Sequence, residues 1–214
     1  MNAVTLGLVA VALSAGCSSS GESPDNVKTP ATAAGIPSKY VCGGLSPLGS
    51  QALELVTGAK QYSQTSSSDM ESLANEVAAW LKGGPASPAD FCRIKPLGVT
   101  SESAQAVVPD SEMHFVFERV AELPPAGSEA KGSVSIPVGL QAVGTSEGAD
   151  IYFRCIQSGE TANPKSTPIV RSRLQYSATS NANVYKDNVK LLQDVTHKLV
   201  VQLRCEGDAG IPER

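Results

Sequence analysis

Histidine is nearly missing from this chain, with two in 214 residues. No CxxC, CxxH or clustered histidine spacing occurs, which removes the usual zinc motifs. Charge is thin as well: charged residues make up 18% and aromatics 5%, the net charge is −4, and lysines and arginines nowhere cluster. A nucleic-acid binder would carry a basic patch, so that class is excluded, and the mild acidity reads as ordinary solubility. There is no phosphate loop and no dinucleotide fingerprint. No apolar run approaches the roughly 20 residues needed to span a bilayer.

One shorter apolar run stands out. Ala3 to Leu13 (AVTLGLVAVAL) is uncharged and has the length of a signal-peptide core, about 7–15 residues. Ser14, Ala15 and Gly16 are small, and Cys17 follows with a thiol. The stretch LSAGC resembles the lipobox of bacterial lipoproteins. That resemblance implies a signal peptide over 1–16, cleavage before Cys17, diacylglycerol on its thiol and acylation of the new amino terminus. Stable anchoring requires more than one chain, since a single chain gives only marginal membrane binding. The implied location is the extracytoplasmic face of the cell membrane. The chain departs from the family at Ser14, where an aliphatic residue is preferred, and in having no Lys or Arg before Cys17. The missing basic region leads us to expect initiation upstream of Met1, which mapping of the start site would test.

Residues 17–39 are rich in Ser, Thr, Ala, Pro and Gly, with few large apolar side chains, the composition of a lipidated, disordered tether. Residues 40–214 are then expected to form a single α+β domain, long enough to bury a core without a metal. Neither cofactor nor metal is implied.

Setting Cys17 aside leaves Cys42, Cys92, Cys155 and Cys205, an even number in a chain read as exported. Three pairings are open. We favour 42–92 with 155–205, because each pair brackets a segment that reads as one packing unit.

In LSPLGSQALELVTGA, Leu45, Leu48, Ala52, Leu55 and Val56 fall on one helical face, Pro47 suits the first turn, and Gly58 stops the helix. QYSQTSSSD reads as a polar spacer. Ser68 or Asp69 then caps a second helix whose Met70, Leu73, Ala74, Val77, Trp80 and Leu81 recur every three or four residues until Gly83. Trp80 at this spacing is expected in the core.

After Cys92 the period changes to two. Met113, Phe115 and Phe117 alternate with His114, Val116 and Glu118, and the same period of two runs through Val134 to Val138, Ile151 to Cys155, and Val170 to Tyr176. These predict an antiparallel sheet of four or five strands, packed by the N-terminal helices and a C-terminal helix over about 183–204, with Tyr185, Val189, Leu192, Val195, Leu199 and Leu203 on its apolar stripe.

With those elements in place, Cys42 with Leu53 to Gly58, Phe91 to Ile94, Phe153 to Cys155, and Leu191 to Cys205 resemble a group of secreted actinobacterial lipoproteins with four additional cysteines. The resemblance implies location and fold. No activity comes with it.

The most enzyme-like string is GTSEG, 144–148, which fits G-x-S-x-G with Ser146 as nucleophile. An elbow needs a helix after the serine; here a strand follows, so a hairpin turn is expected. His114 and His197 show no partner motif, and Glu147, Asp150, Asp187 and Asp194 form no metal loop, the last two falling on the polar side of a helix. Arg171 and Arg173 share a strand face and, with Arg154 and Lys165, suggest a small patch for an anion such as a carboxylate or lipid headgroup. No catalytic residue is assigned. The expected role is a membrane-anchored, non-enzymatic module that binds an envelope protein or small ligand. A hydrolase-like exported enzyme and the binding subunit of an uptake transporter are the alternatives.

Overall fold

The computed structural model describes residues 35–98, 111–125, 132–157, 166–177 and 184–213. Strands β1 (Ile36–Pro37), β2 (Gln61–Ser67), β3 (Ala89–Leu97), β4 (Met113–Val120), β5 (Val134–Ile136), β6 (Gln141–Thr145), β7 (Gly148–Phe153) and β8 (Ile169–Gln175) form one sheet. Its order is β1-β2-β3-β4-β8-β7-β6-β5, with every neighbouring pair antiparallel. Helices α1 (Pro47–Thr57), α2 (Met70–Leu81) and α3 (Tyr185–Gln202) complete an α+β body.

The expected four or five strands are thus eight among the described residues. The extra ones lack a readable pattern. QYSQTSS is a strand although only Tyr62 is buried, because β3 pairs along its whole length. The folded body also starts ahead of Tyr40: Ile36 and Pro37 pair with Tyr62 and Gln61, and a 3₁₀ turn follows at Ser38–Tyr40.

Both bridges form as favoured, Cys42–Cys92 and Cys155–Cys205. The first ties the turn before α1 to β3. The second ties the end of β7 to the residues just after α3.

Local chemistry sets the helix ends. Ser46 caps α1 by accepting from the Gly49 amide at 3.1 Å, and Gly58 closes it in the left-handed region. Asp69 caps α2 by accepting from the Ser72 amide. The apolar face of α1 differs from the expected one. Ala52, Leu53 and Val56 are buried, while Leu48 and Leu55 are each 50% exposed.

Helix α3 lies over β5 to β8 and meets α1 and α2 on its other side. It is therefore buried well beyond a single stripe, polar residues included: Asn188, Gln193, Asp194 and Thr196 are all buried. Asp194 is consequently not on a polar side. Its carboxylate accepts from the Ser46 amide at 3.2 Å and lies 3.3 Å from Lys198 Nζ, next to the start of α1. Gly49 makes this contact possible, since a Cβ there would stand 2.6 Å from the Asp194 carboxyl carbon. Replacing Asp194→Ala leaves the Ser46 amide without its acceptor and takes the counter-charge from Lys198, whose Nζ keeps the Gly44 carbonyl. We expect a loss of about 2–3 kcal/mol, read as a lower urea midpoint at unchanged slope.

Two buried phenols report on the same core. The Tyr62 hydroxyl donates to Ala59 O and shares a hydrogen bond with Thr57; the Tyr176 hydroxyl donates to Asn188 Oδ1 at 2.8 Å. Burial raises both, Tyr62 strongly and Tyr176 to about 12, against the smaller opposing effect of those hydrogen bonds. For a raised acid the contribution of the neutral form is complete below the unfolded value near 10 and is lost as pH climbs towards the folded value. Unfolding free energy is therefore expected to fall from about pH 10 upward. Tyrosinate absorbance of these two groups should appear together with the loss of structure.

Candidate functional site

The side chains that alternate with the core point away from the helices and make the outer face of the sheet. Register assembles them into transverse rows. The first runs Glu118, Arg171, Tyr152, Gln141 across β4, β8, β7 and β6. Arg171 Nε donates to Glu118 Oε1 at 2.6 Å. Tyr152 is buried although it stands on this face. Burial alone would lower the Arg171 pKa, but hydrogen bonds to Tyr152 and Glu118, with the charges of Asp150 and Glu118, shift it upward.

The second row runs Val116, Arg173, Asp150, Val143. Arg173 Nε donates to Asp150 Oδ1 at 2.8 Å. The third runs Arg93, His114, Gln175, Gly148, Thr145. His114 Nε2 lies 3.0 Å from Glu112 Oε2, and Glu112 Oε1 accepts from the Thr65 hydroxyl. That hydrogen bond, with His114 and Arg93 nearby, lowers the Glu112 pKa in spite of slight desolvation. Arg93 pairs with Asp90.

Gly148 opens a notch of about 200 Å³ at the end of the third row, lined by Thr145, Glu147, Asp150, Arg173 and Gln175 among others. Only glycine suits this position: its φ is +143°, and a Cβ would fall 1.9 Å from Leu174 O. The notch is held from below. Tyr176 N donates to Glu147 O, and Asn188 accepts from the Tyr176 hydroxyl while its Nδ2 donates to Thr145 O at 2.8 Å. A buried side-chain network thus fastens the β6–β7 turn to α3, so the polar rim sits on a rigid support.

Arg171 and Arg173 do share a face, but neither belongs to a bare cationic patch, because Glu118 and Asp150 compensate them. Arg154 Nε donates to Thr167 O, and Lys165 lies outside the described residues. Ser146 occupies the two-residue turn between β6 and β7, where Thr145 pairs with Gly148, so a strand rather than a helix follows it. His114 stands on the outer face. His197 belongs to α3 on the other side of the sheet, with Nδ1 2.7 Å from Ile211 O, so the sheet separates the two. Glu147 and Asp150 meet at the notch, whereas Asp187 pairs with Lys190 on α3.

Sequence reasoning missed Glu118, Tyr152 and Asn188. The first two matter only through cross-strand register, which a single strand pattern does not contain. Asn188 carried a weak signal, as a polar residue adjoining an apolar stripe. Cys17 lies outside the described residues. Among those residues no group of three or more His, Cys, Asp or Glu could hold a metal ion, and no helix is long and apolar enough to cross a membrane. No protein-family model, no curated protein and no solved structure matches the chain.

Proposed function

We propose that this protein is a lipoprotein of the extracytoplasmic membrane face, anchored through acyl chains on Cys17, whose disulfide-braced body is a non-enzymatic binding module. The observation that carries this reading is the use of its cysteines. Of five, four are consumed in two bridges within the folded body, and the fifth is the one in the LSAGC context. Paired buried cysteines suit an oxidising compartment. A single leftover thiol directly after a signal-peptide-like run suits acylation.

The binding surface in this reading is the outer sheet face around the notch. Its charges are paired in register, with the half-buried Val116 between them, so it favours a partner that is polar and close to neutral over a polyanion. An envelope protein or a small polar ligand fits that description. The separation of His114 from His197, and Ser146 in a hairpin turn, weigh against a hydrolase.

A photoreactive residue replacing Gln175 is expected to give a discrete adduct in intact cells, and Val116→Arg, which fills the neighbouring row, is expected to abolish it. Labelling indistinguishable from that of a probe at Leu140, near the β5 edge of the sheet, would count against the outer face.

A further inference from the structure

We infer that the exposed crest of α1, with the turn before it, rests on the lipid surface to which the chain is tethered. The inference depends on the acylated Cys17 proposed above. Five large apolar side chains are markedly exposed among the described residues, and three of them, Tyr40, Leu48 and Leu55, fall in the 3₁₀ turn and α1. Leu48, Gln51 and Leu55 share one face by spacing, the two leucines about 10 Å apart along the axis. That face lies away from the buried Leu53 and Val56. Between α1 and α3 it forms a shallow groove of about 100 Å³, rimmed by Asp187 and Lys190.

The place where the chain enters the body favours lipid as the occupant. Ser38, just before Tyr40, hydrogen-bonds Ser50 and Glu54 of α1, so the entry point of the tether is fixed to this helix. Cys17 precedes Gly35 by 18 residues, which reach about 60 Å at most. Within that radius a weak contact becomes intramolecular, and two half-exposed leucines with a tyrosine are enough to orient a body that the acyl chains already hold. The chemistry agrees. Lys39 Nζ stacks 4.7 Å from the centre of the Tyr40 ring, joining an amphipathic ring to a charge that can extend to headgroups. A protein partner fits less well, because the groove is too small to take a large anchoring side chain and its Asp187–Lys190 rim is self-neutralised.

The test uses the acylated full-length protein in vesicles of phosphatidylethanolamine and phosphatidylglycerol. A photoreactive analogue replaces Leu48, Leu55 or, as control, Leu140 near the far edge of the sheet. The N-terminal peptide is weighed in each sample to read acylation separately. Phospholipid adducts at Leu48 and Leu55 several-fold above Leu140 are the expected result. With acylation intact, adducts equal to the control, or adducts only to a second copy, overturn the inference and leave the anchor standing. An unmodified Cys17 in the protein isolated from membranes overturns both.

Discussion

Removing both disulfides is expected to lower the stability of the folded body by about 8 kcal/mol. Each bridge joins residues 50 apart in sequence, and the closed segments, 42–92 and 155–205, do not overlap. A loop of that size gives about 4 kcal/mol of chain-entropy stabilisation, and separate loops add. Domains of this size have only about 5–15 kcal/mol in total. The reduced protein should therefore sit near or below its folding threshold. All four sulfurs belong to buried residues, so serine replacements add a polar-burial penalty to the entropic loss. Guanidinium unfolding of the oxidised protein against the fourfold Cys→Ser variant measures this directly. An unchanged midpoint would mean that the bridges only decorate a core stable by itself.

The second large effect is expected at Trp80. It is 1% exposed and lies on the inward face of α2 with Leu73, Ala74 and Val77. Trp80→Ala empties the largest side chain from the core and should cost about 3–5 kcal/mol, while Trp80→Phe should cost clearly less because the surrounding residues lose less volume. The end of α2 adds to the strain of relaxation: Arg119 Nη1 donates to the carbonyls of Trp80 and Gly84, so the helix cannot collapse into the space without breaking those bonds. Far-ultraviolet circular dichroism in urea follows both variants. In the native chain the single tryptophan should emit as a buried indole and shift to the red with global unfolding. A fluorescence transition that precedes the dichroism transition would show that α2 opens separately.

The three helices, the two bridges and the turn at Ser146 were legible because each depends on information close in sequence. Period 3.6, a capping Ser or Asp and a following Gly define α1 and α2, and Tyr185 to Leu203 keep helical spacing even where KLVVQLRC looks strand-like. The strands β1, β2 and β6 were not legible. Gln61–Ser67 buries one side chain, Ile36–Pro37 is two residues long, and QAVGT alternates with small residues that any turn could contain. What makes them strands is pairing with distant partners. The same reason hid the candidate site. Arg171 and Arg173 could be seen on one strand face, but Glu118 is 53 residues from Arg171 and Asp150 is 23 from Arg173. The pairing that cancels their charge is a property of register. Burial of α3 on several sides misplaced Asp194, because a helix roofed by two others has no simple polar side.

These placements have a functional corollary. In the reading proposed above, a sheet carrying compensated charge on one face and helices on the other gives the body one surface for a neutral polar partner and one layer, α1 in particular, to lie against lipid. Binding through the outer face should accordingly vary little with moderate salt, since the paired charges present little net field.

In the proposed reading Cys17 is the lipid attachment point and the other four cysteines are bridged. A non-reducing peptide map of the native protein extracted from membranes tests it most directly. The expected result is an amino-terminal peptide that begins at acylated Cys17, together with peptides linked 42–92 and 155–205. An unmodified Cys17, or free thiols at the four internal positions, would contradict it.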